Sequence, residues 1–231
     1  MIQISNLSKK YGETVVFLDL NYTFENACIY GLVGRNGAGK TTLLNILSNY
    51  DKNYTGVISI DGEKMNKVDY LDMPVAYAMD QPSFFNELTI YENLLLIASS
   101  RKIKKQEAFD KIERILDGLG LKKYENYSPL ELSKGTMQRL NNACAMIQEE
   151  KITIFDEPFS GLDPVQMKLL ENVIVEFHKK EKGIYIISSH DIECLQNVCD
   201  KCLLLHNGQI REINTEEVDR EKIAKILSEG E

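Results

Sequence analysis

The period of apolar residues changes several times along this chain, and each change predicts an element. Residues 2–7 alternate apolar with polar, as a half-buried strand does. Residues 15–20, followed by Tyr22 and Phe24, have the spacing of two more strands, so the chain is expected to open on an antiparallel sheet. Residues 27–33 are almost continuously apolar and predict a buried strand, while residues 41–48 carry Leu43, Leu44 and Leu47 at helical spacing. Residues 56–60 predict a strand closed by the Asp61-Gly62 turn, and residues 74–79 another that stops at Asp80-Gln81-Pro82. From Thr89 to Gly120 the period becomes helical, over residues 90–100 and 105–119, with Gly118 and Gly120 as stops; a polar stretch, 122–128, then leads to Pro129. Alternation of helix and strand resumes with a helix over 137–148, a strand over 152–155, a helix over 165–180, a strand over 184–188, a short helix from Asp191 and a strand over 201–205. Asn207-Gly208 turns the chain into a hairpin strand over 209–213, and residues 215–227 predict a charged amphipathic helix. The expected fold is α/β: a mainly parallel sheet covered by helices, an antiparallel β subdomain at the N-terminus and an inserted helical subdomain.

Composition narrows this further. With 231 residues, of which 43% are hydrophobic, the chain can bury a full core. Its longest apolar runs, such as 94–98 and 202–205, fall far short of a membrane span, and Met1-Ile2-Gln3-Ile4 lacks the basic region and long apolar stretch of a signal peptide. A cytoplasmic protein is expected. Twenty-seven basic against thirty-five acidic residues give a formal charge of −8, which repels a nucleic-acid backbone. The basic run 101–105 is too short to reverse that and reads as the solvated start of a helix.

Five cysteines in such a chain are read as reduced thiols. His190, Cys194, Cys199, Cys202 and His206 fall close together and include a C-x-x-C, a spacing that zinc sites use. Residues 200–206 read as a strand whose alternate side chains face opposite ways, however, and His190 belongs to another motif. Zinc is therefore not expected.

The chemistry centres on Gly34-Arg35-Asn36-Gly37-Ala38-Gly39-Lys40-Thr41-Thr42, which satisfies the phosphate-loop pattern G-x-x-x-x-G-K-[ST] between a predicted strand and a predicted helix. A glycine-rich turn could match by accident, but not readily with Lys-Thr at this offset and in this context. The glycines let the backbone turn tightly and aim N–H groups at phosphate oxygens, and the helix that follows adds the positive end of its dipole. Lys40 is expected on the outer phosphates and the Thr41 hydroxyl on a magnesium ion. The strand over 152–155 ends in Asp156-Glu157, which a parallel sheet places at its carboxyl edge, where ligands bind. Asp156 is expected to support the magnesium and Glu157 to polarise an attacking water. An exposed acidic turn explains one carboxylate but not a pair beside a phosphate loop.

Leu132-Ser133-Lys134-Gly135-Thr136-Met137-Gln138-Arg139 then completes a set of motifs that resembles the ATP-binding subunits of ABC transporters, whose signature is usually Leu-Ser-Gly-Gly-Gln. The resemblance runs in order from Tyr11 to His190. It implies that Ser133 and Gly135 bind the terminal phosphate of ATP held on a second subunit, in a head-to-tail dimer, and that Tyr11 stacks on adenine. It further implies that Gln81 touches magnesium and links hydrolysis to movement of the helical insert, that Ser160-Gly161-Leu162-Asp163 crosses the dimer interface, and that His190 senses the terminal phosphate. Read from the residues alone, Ser133 and Asp163 are helix N-caps, Asp163 standing before Pro164. Lys134 and Thr136 depart from the usual signature, and the Leu-Ser-Lys-Gly form is similar to that of bacterial exporters.

The expectation is thus one ABC ATPase domain over 1–231. Residues 1–81 and 140–231 form the P-loop NTPase core with the antiparallel β subdomain, and residues 82–139 the helical subdomain with the signature. It is expected to bind ATP and Mg2+, to pair with a second such subunit, and to drive export through a separate membrane permease at the inner face of the cell membrane. The competing readings are a soluble nucleic-acid or ribosome factor on the same module, which a single module without a coiled coil and an acidic balance disfavours, and a regulatory module without turnover, which Glu157 disfavours.

Overall fold

The computed structural model describes residues 1–68, 72–190 and 192–213. The helix expected over residues 215–227 lies outside them, as does Asp191. A six-stranded sheet forms the centre: β3 (Cys28–Val33), β6 (Val75–Ala78), β7 (Ile152–Phe155), β8 (Ile184–Ser189), β9 (Lys201–His206) and β10 (Gln209–Ile213). Its strand order is β10-β9-β3-β8-β7-β6, with every pair parallel except β9 and β10. A second, antiparallel sheet has the order β2-β1-β4-β5 and is built from β1 (Ile2–Tyr11), β2 (Thr14–Phe24), β4 (Thr55–Ile60) and β5 (Glu63–Lys64).

Two cores form on the two faces of the parallel sheet. Tyr30, Leu32, Ile154, Ile186 and Leu203 pack with the antiparallel sheet and with α1 (Lys40–Leu47). Ile29, Val33, Tyr185 and Ile187 pack on the other face, with α2 (Ile90–Ser100), α3 (Lys105–Gly118), α4 (Lys134–Met146), α5 (Pro164–Glu181) and α6 (Ile192–Gln196). Cover on both faces is why β3 is buried at all six positions and reads as an unbroken apolar run.

The structure departs from expectation at two places. Residues 15–24 form one strand, not two. The pairing of β1 with β2 slips between Ile4 and Leu7, between Leu7 and Lys9 and between Lys9 and Lys10, and Asn6 and Asp19 take left-handed backbone angles there. These bulges shift the inward-facing phase without ending the strand, and side chains take up displaced backbone donors: Asn6 N donates to Asn21 Oδ1 at 2.9 Å and Asp19 N to Ser8 Oγ at 2.9 Å. α4 starts at Lys134, as the N-cap reading of Ser133 has it, with Ser133 Oγ accepting from Thr136 N at 3.3 Å; the apolar period alone marks the helix only from Met137, because Lys134, Gly135 and Thr136 bring no large apolar side chain.

The second departure is Arg101, expected to be solvated. It forms the C-cap of α2 and reaches across to the sheet layer. Its guanidinium donates to Gln148 Oε1 at 3.0 Å, Val75 O at 3.2 Å and Met73 O at 3.4 Å, and pairs with Glu150 at 3.1 Å.

Gly56 shows how tightly the antiparallel sheet closes. At φ +100 a Cβ there would lie 2.4 Å from Asn6 O, whereas at Gly62, φ +87, it would meet nothing within 4 Å. Gly62→Ala is expected to cost about 1–2 kcal/mol from the left-handed backbone alone. Gly56→Ala adds the steric clash, roughly 1–3 kcal/mol more. Urea unfolding of both variants checks this, and equal midpoints would refute it.

Candidate functional site

Parallel strands deliver the chemistry to one edge. β3 leads into the loop from Gly34 to Gly39, β7 into Asp156 and Glu157, and β8 into His190. Two glycines are fixed by space: a Cβ on Gly34 would lie 2.8 Å from Leu205 O, and one on Gly39, the left-handed cap of α1, 2.7 Å from Val16 Cγ1. Gly37 has φ +81 and nothing within 4 Å of its missing Cβ, so it turns the loop and leaves its backbone open to approach. Arg35, Asn36 and Gly37 are exposed, Ala38 N donates to Arg35 O at 3.1 Å, and Thr42 is half-buried on α1. Lys40 is buried, and its Nζ donates to Gly34 O at 2.8 Å and Arg35 O at 3.4 Å while standing 3.7 Å from Glu157 Oε1.

The register of β7 with β8 sets the acidic pair. Phe155 lies opposite Ile187, so the next residues, Asp156 and Ser188, meet one step further along. Ser188 Oγ donates to Asp156 Oδ1 at 2.5 Å and accepts from Glu157 N at 2.9 Å, so one hydroxyl fixes both acidic residues. Asp156 is fully buried. Burial pushes its carboxyl above the usual range; hydrogen bonds from Ser188 and Thr41 pull it back, and the nearby Asp80 and Glu157 add to the rise. Tyr77 closes the other side, its hydroxyl 3.5 Å from Asp156 Oδ2 and donating to Asn45 Oδ1 at 3.0 Å; burial, then the Asp156 charge, push that phenol well above its ordinary value.

Glu157 has φ 49, a left-handed angle unusual for its residue type, which turns its side chain back over the loop. Its Oε2 lies 2.9 Å from His190 Nδ1, and its backbone carbonyl accepts from Gln138 Nε2 at 3.3 Å, so α4 holds the turn from behind. The structure thereby joins Lys40, Thr41, Asp156, Glu157 and His190 in one constellation.

Ser133, Gly135 and Asp163 form a separate group. Ser133 Oγ, besides capping α4, lies 2.9 Å from Thr136 Oγ1, which also takes a bond from Arg139 Nη2 at 3.3 Å. A Cβ on Gly135 would lie 3.0 Å from Gly161 O, and Asp163 caps α5 by accepting from Gln166 N at 2.8 Å. Among the described residues, the concavity beside Ser133 is lined by Lys122, Tyr124, Arg139 and Gln166, with no phosphate-loop residue in its wall. Tyr11 and Gln81 stand apart, both exposed, Tyr11 at the end of β1 and Gln81 in the bend beyond β6.

Sequence reasoning missed Ser188, Tyr77, Asn45 and Gln138. Ser188 alone left a signal, as a hydroxyl ending an apolar strand next to the one that carries the acids. The others are polar residues whose partners are set by tertiary packing.

A glycine-rich loop at a helix N-terminus, a buried ammonium and an imidazole that both meet Glu157, and a second carboxylate beside it suit hydrolysis of a phosphoanhydride. Comparison with known proteins agrees. Residues 17–160 match the ABC transporter family model. The tungstate uptake system ATP-binding protein of Peptoclostridium acidaminophilum is 30% identical, over 91% of this chain and 97% of that protein. The bacitracin transport ATP-binding protein of Enterococcus faecalis is 31% identical, over 95% and 71%. Among solved structures, an ATP-binding subunit of an ABC transporter superposes with a TM-score of 0.88 at 26% identity, covering 99% of both chains. The dimeric structure of a bacterial ABC transporter cassette shares the fold, with a TM-score of 0.82 at 23% identity over 93% of this chain and 98% of that one. With the family model spanning more than half of its length, and the phosphate loop and acidic pair in place, the chain belongs to the ABC transporter family as an ATP-binding subunit, an ATPase that hydrolyses ATP to drive transport.

Proposed function

We propose the following division of labour. The loop from Gly34 to Thr42 wraps the phosphates, Lys40 holds the outer ones, Tyr11 stacks on adenine, and Glu157 takes a proton from the attacking water. The observation that carries this is the contact of Glu157 with both Lys40 and His190, at 3.7 and 2.9 Å, on a backbone fixed by Ser188. The imidazole orients the carboxylate towards the terminal phosphate, and the buried ammonium offsets charge there. Thr41 and Asp156, near enough that the hydroxyl eases the carboxyl's ionisation, present the hydroxyl and carboxylate oxygens that suit Mg2+, with Gln81 as a further oxygen donor. Bound there, the ion would neutralise charge between the outer phosphates.

Ser133, Gly135 and Asp163 serve a partner's nucleotide. Support comes from their grouping away from the chain's own phosphate loop, and from the dimeric state of the cassette that shares the fold. The chain divides into a core with the antiparallel β subdomain, residues 1–81 and 140–231, and a helical subdomain, 82–139.

A separate permease docks beside Gln81 and holds the subunit at the inner face of the cell membrane; no described helix is long and apolar enough to cross a membrane. Support for the docking place is Phe85, 59% exposed yet rigidly presented: Asn93 accepts from Phe85 N at 3.0 Å and donates to Phe85 O at 3.0 Å and Thr89 O at 2.9 Å. Tyr127 and Leu130 add exposed apolar surface in the same subdomain. Export is the direction suggested by the Leu132-Ser133-Lys134-Gly135 form. The tungstate uptake relative points the other way, and substrate movement in inverted vesicles decides between them.

Lys40→Ala removes a charge-assisted contact and is expected to weaken ATP binding about tenfold or more in a calorimetric titration. Glu157→Gln keeps size but loses basicity, so phosphate release should fall about a hundredfold or more while MgATP still binds. That variant should elute as a dimer with MgATP and as a monomer with ADP; a monomer at saturating ATP would count against the shared site. A photo-cross-linker at Phe85 is expected to capture the permease in native membranes, and one on the exposed face of β10 is not.

A further inference from the structure

The buried side of β1 runs Ile2, Ile4, Leu7 and then Lys9, which is only 4% exposed. A lysine at a core position needs a reason. Its Nζ pairs with Asp51 Oδ2 at 2.6 Å, donates to Asn53 O at 2.7 Å and lies 4.5 Å from the centroid of the Tyr11 ring. The Tyr11 hydroxyl donates to the same Asp51 oxygen at 3.1 Å, and Asp51 Oδ1 accepts from Asn53 N at 2.9 Å. Burial pushes the Asp51 carboxyl up, but the bonds from Lys9, Asn53 N–H and Tyr11 outweigh it and leave it below the usual carboxylate range.

Stability is a poor explanation for such a pair, since an apolar replacement of a buried ion pair is often neutral or better. Its geometry has another effect. Tyr11 is 52% exposed at a strand end, where its ring would otherwise sample several rotamers, and here it is held by a cation at its face and a carboxylate at its hydroxyl.

We propose that Lys9 and Asp51 are positioning residues that fix the Tyr11 ring as a ready platform for the adenine base, and so set the preference for an adenine nucleotide over a bare polyphosphate. The proposal rests on the assignment of Tyr11 made above. An ordered ring spares the cost of immobilising it when the base arrives. A cation on one face also withdraws π density, which makes the ring a better partner for an electron-rich purine.

The test compares the affinities of MgATP and magnesium tripolyphosphate, which has the phosphate chain without the nucleoside. The proteins are wild type, Tyr11→Ala, and the double variant Lys9→Met with Asp51→Asn, which removes both charges and strands neither. Thermal midpoints confirm folding. Tyr11→Ala is expected to reduce the ATP-to-tripolyphosphate ratio roughly fivefold or more, the scale of a base stacked on an aromatic ring. The double variant should lose a large part of the same ratio, with tripolyphosphate affinity unchanged. A wild-type ratio in the double variant, beside a reduced one in Tyr11→Ala, overturns the positioning role alone. An unchanged ratio in Tyr11→Ala overturns the stacking assignment and this proposal with it. If the double variant does not fold, Tyr11→Phe, which cuts only the hydroxyl tether, is read on the same ratio, and a wild-type value overturns the proposal.

Discussion

A single hydroxyl, Ser188 Oγ, ties the carboxyl edge of the parallel sheet together. It donates to Asp156 and accepts from the backbone of Glu157, so the two acids cannot shift independently of β8. The arrangement depends on parallel pairing in one register, because a slip of one residue would turn Ser188 to the opposite face and take its hydroxyl from the buried carboxylate. Phosphate loop, acids and histidine all leave from strands of that sheet, and its register is in turn held by apolar packing on both faces. The chemistry at the edge therefore inherits its precision from the core.

Behind that edge, α4 joins two regions that the sequence separates. Its first turn is capped by Ser133, and Gln138, just over a turn later, bonds to the carbonyl of Glu157. Asn141 donates to Met79 O at 2.7 Å, just ahead of Gln81, and Asn142 to Pro158 O at 3.2 Å, just beyond Glu157. One helix thus carries side-chain contacts to both the acidic turn and the bend after β6, and a rigid helix moves all of them together.

Much of this was legible in the chain. The helices over 90–100 and 105–118 and the strands β7 and β10 follow their periodicity to within a residue, because each has one clear face or lies wholly inside the sheet. That Lys40, Asp156 and Glu157 share one sheet edge was legible because the phosphate-loop pattern and the strand ending in two carboxylates each follow a parallel strand. Other features depend on partners distant in sequence. The continuity of β2 rests on side chains of β1 that satisfy its bulges, and the anchoring of Arg101 on carbonyls more than twenty residues away. Gln138 and Tyr77 look like ordinary helix and strand residues until the sheet brings Glu157 and Asp156 to them.

Arg101 also fixes where the helical layer can pivot. Its guanidinium fastens the C-terminal end of α2 to the start of β6 and to the segment before β7. The other end of α2, eleven residues away, meets the Phe85 segment through Asn93. A helix of that length is a lever arm of about 16 Å. With its fulcrum at Arg101, a swing of roughly 10° carries the Phe85 end through about 3 Å while the fastened end barely moves.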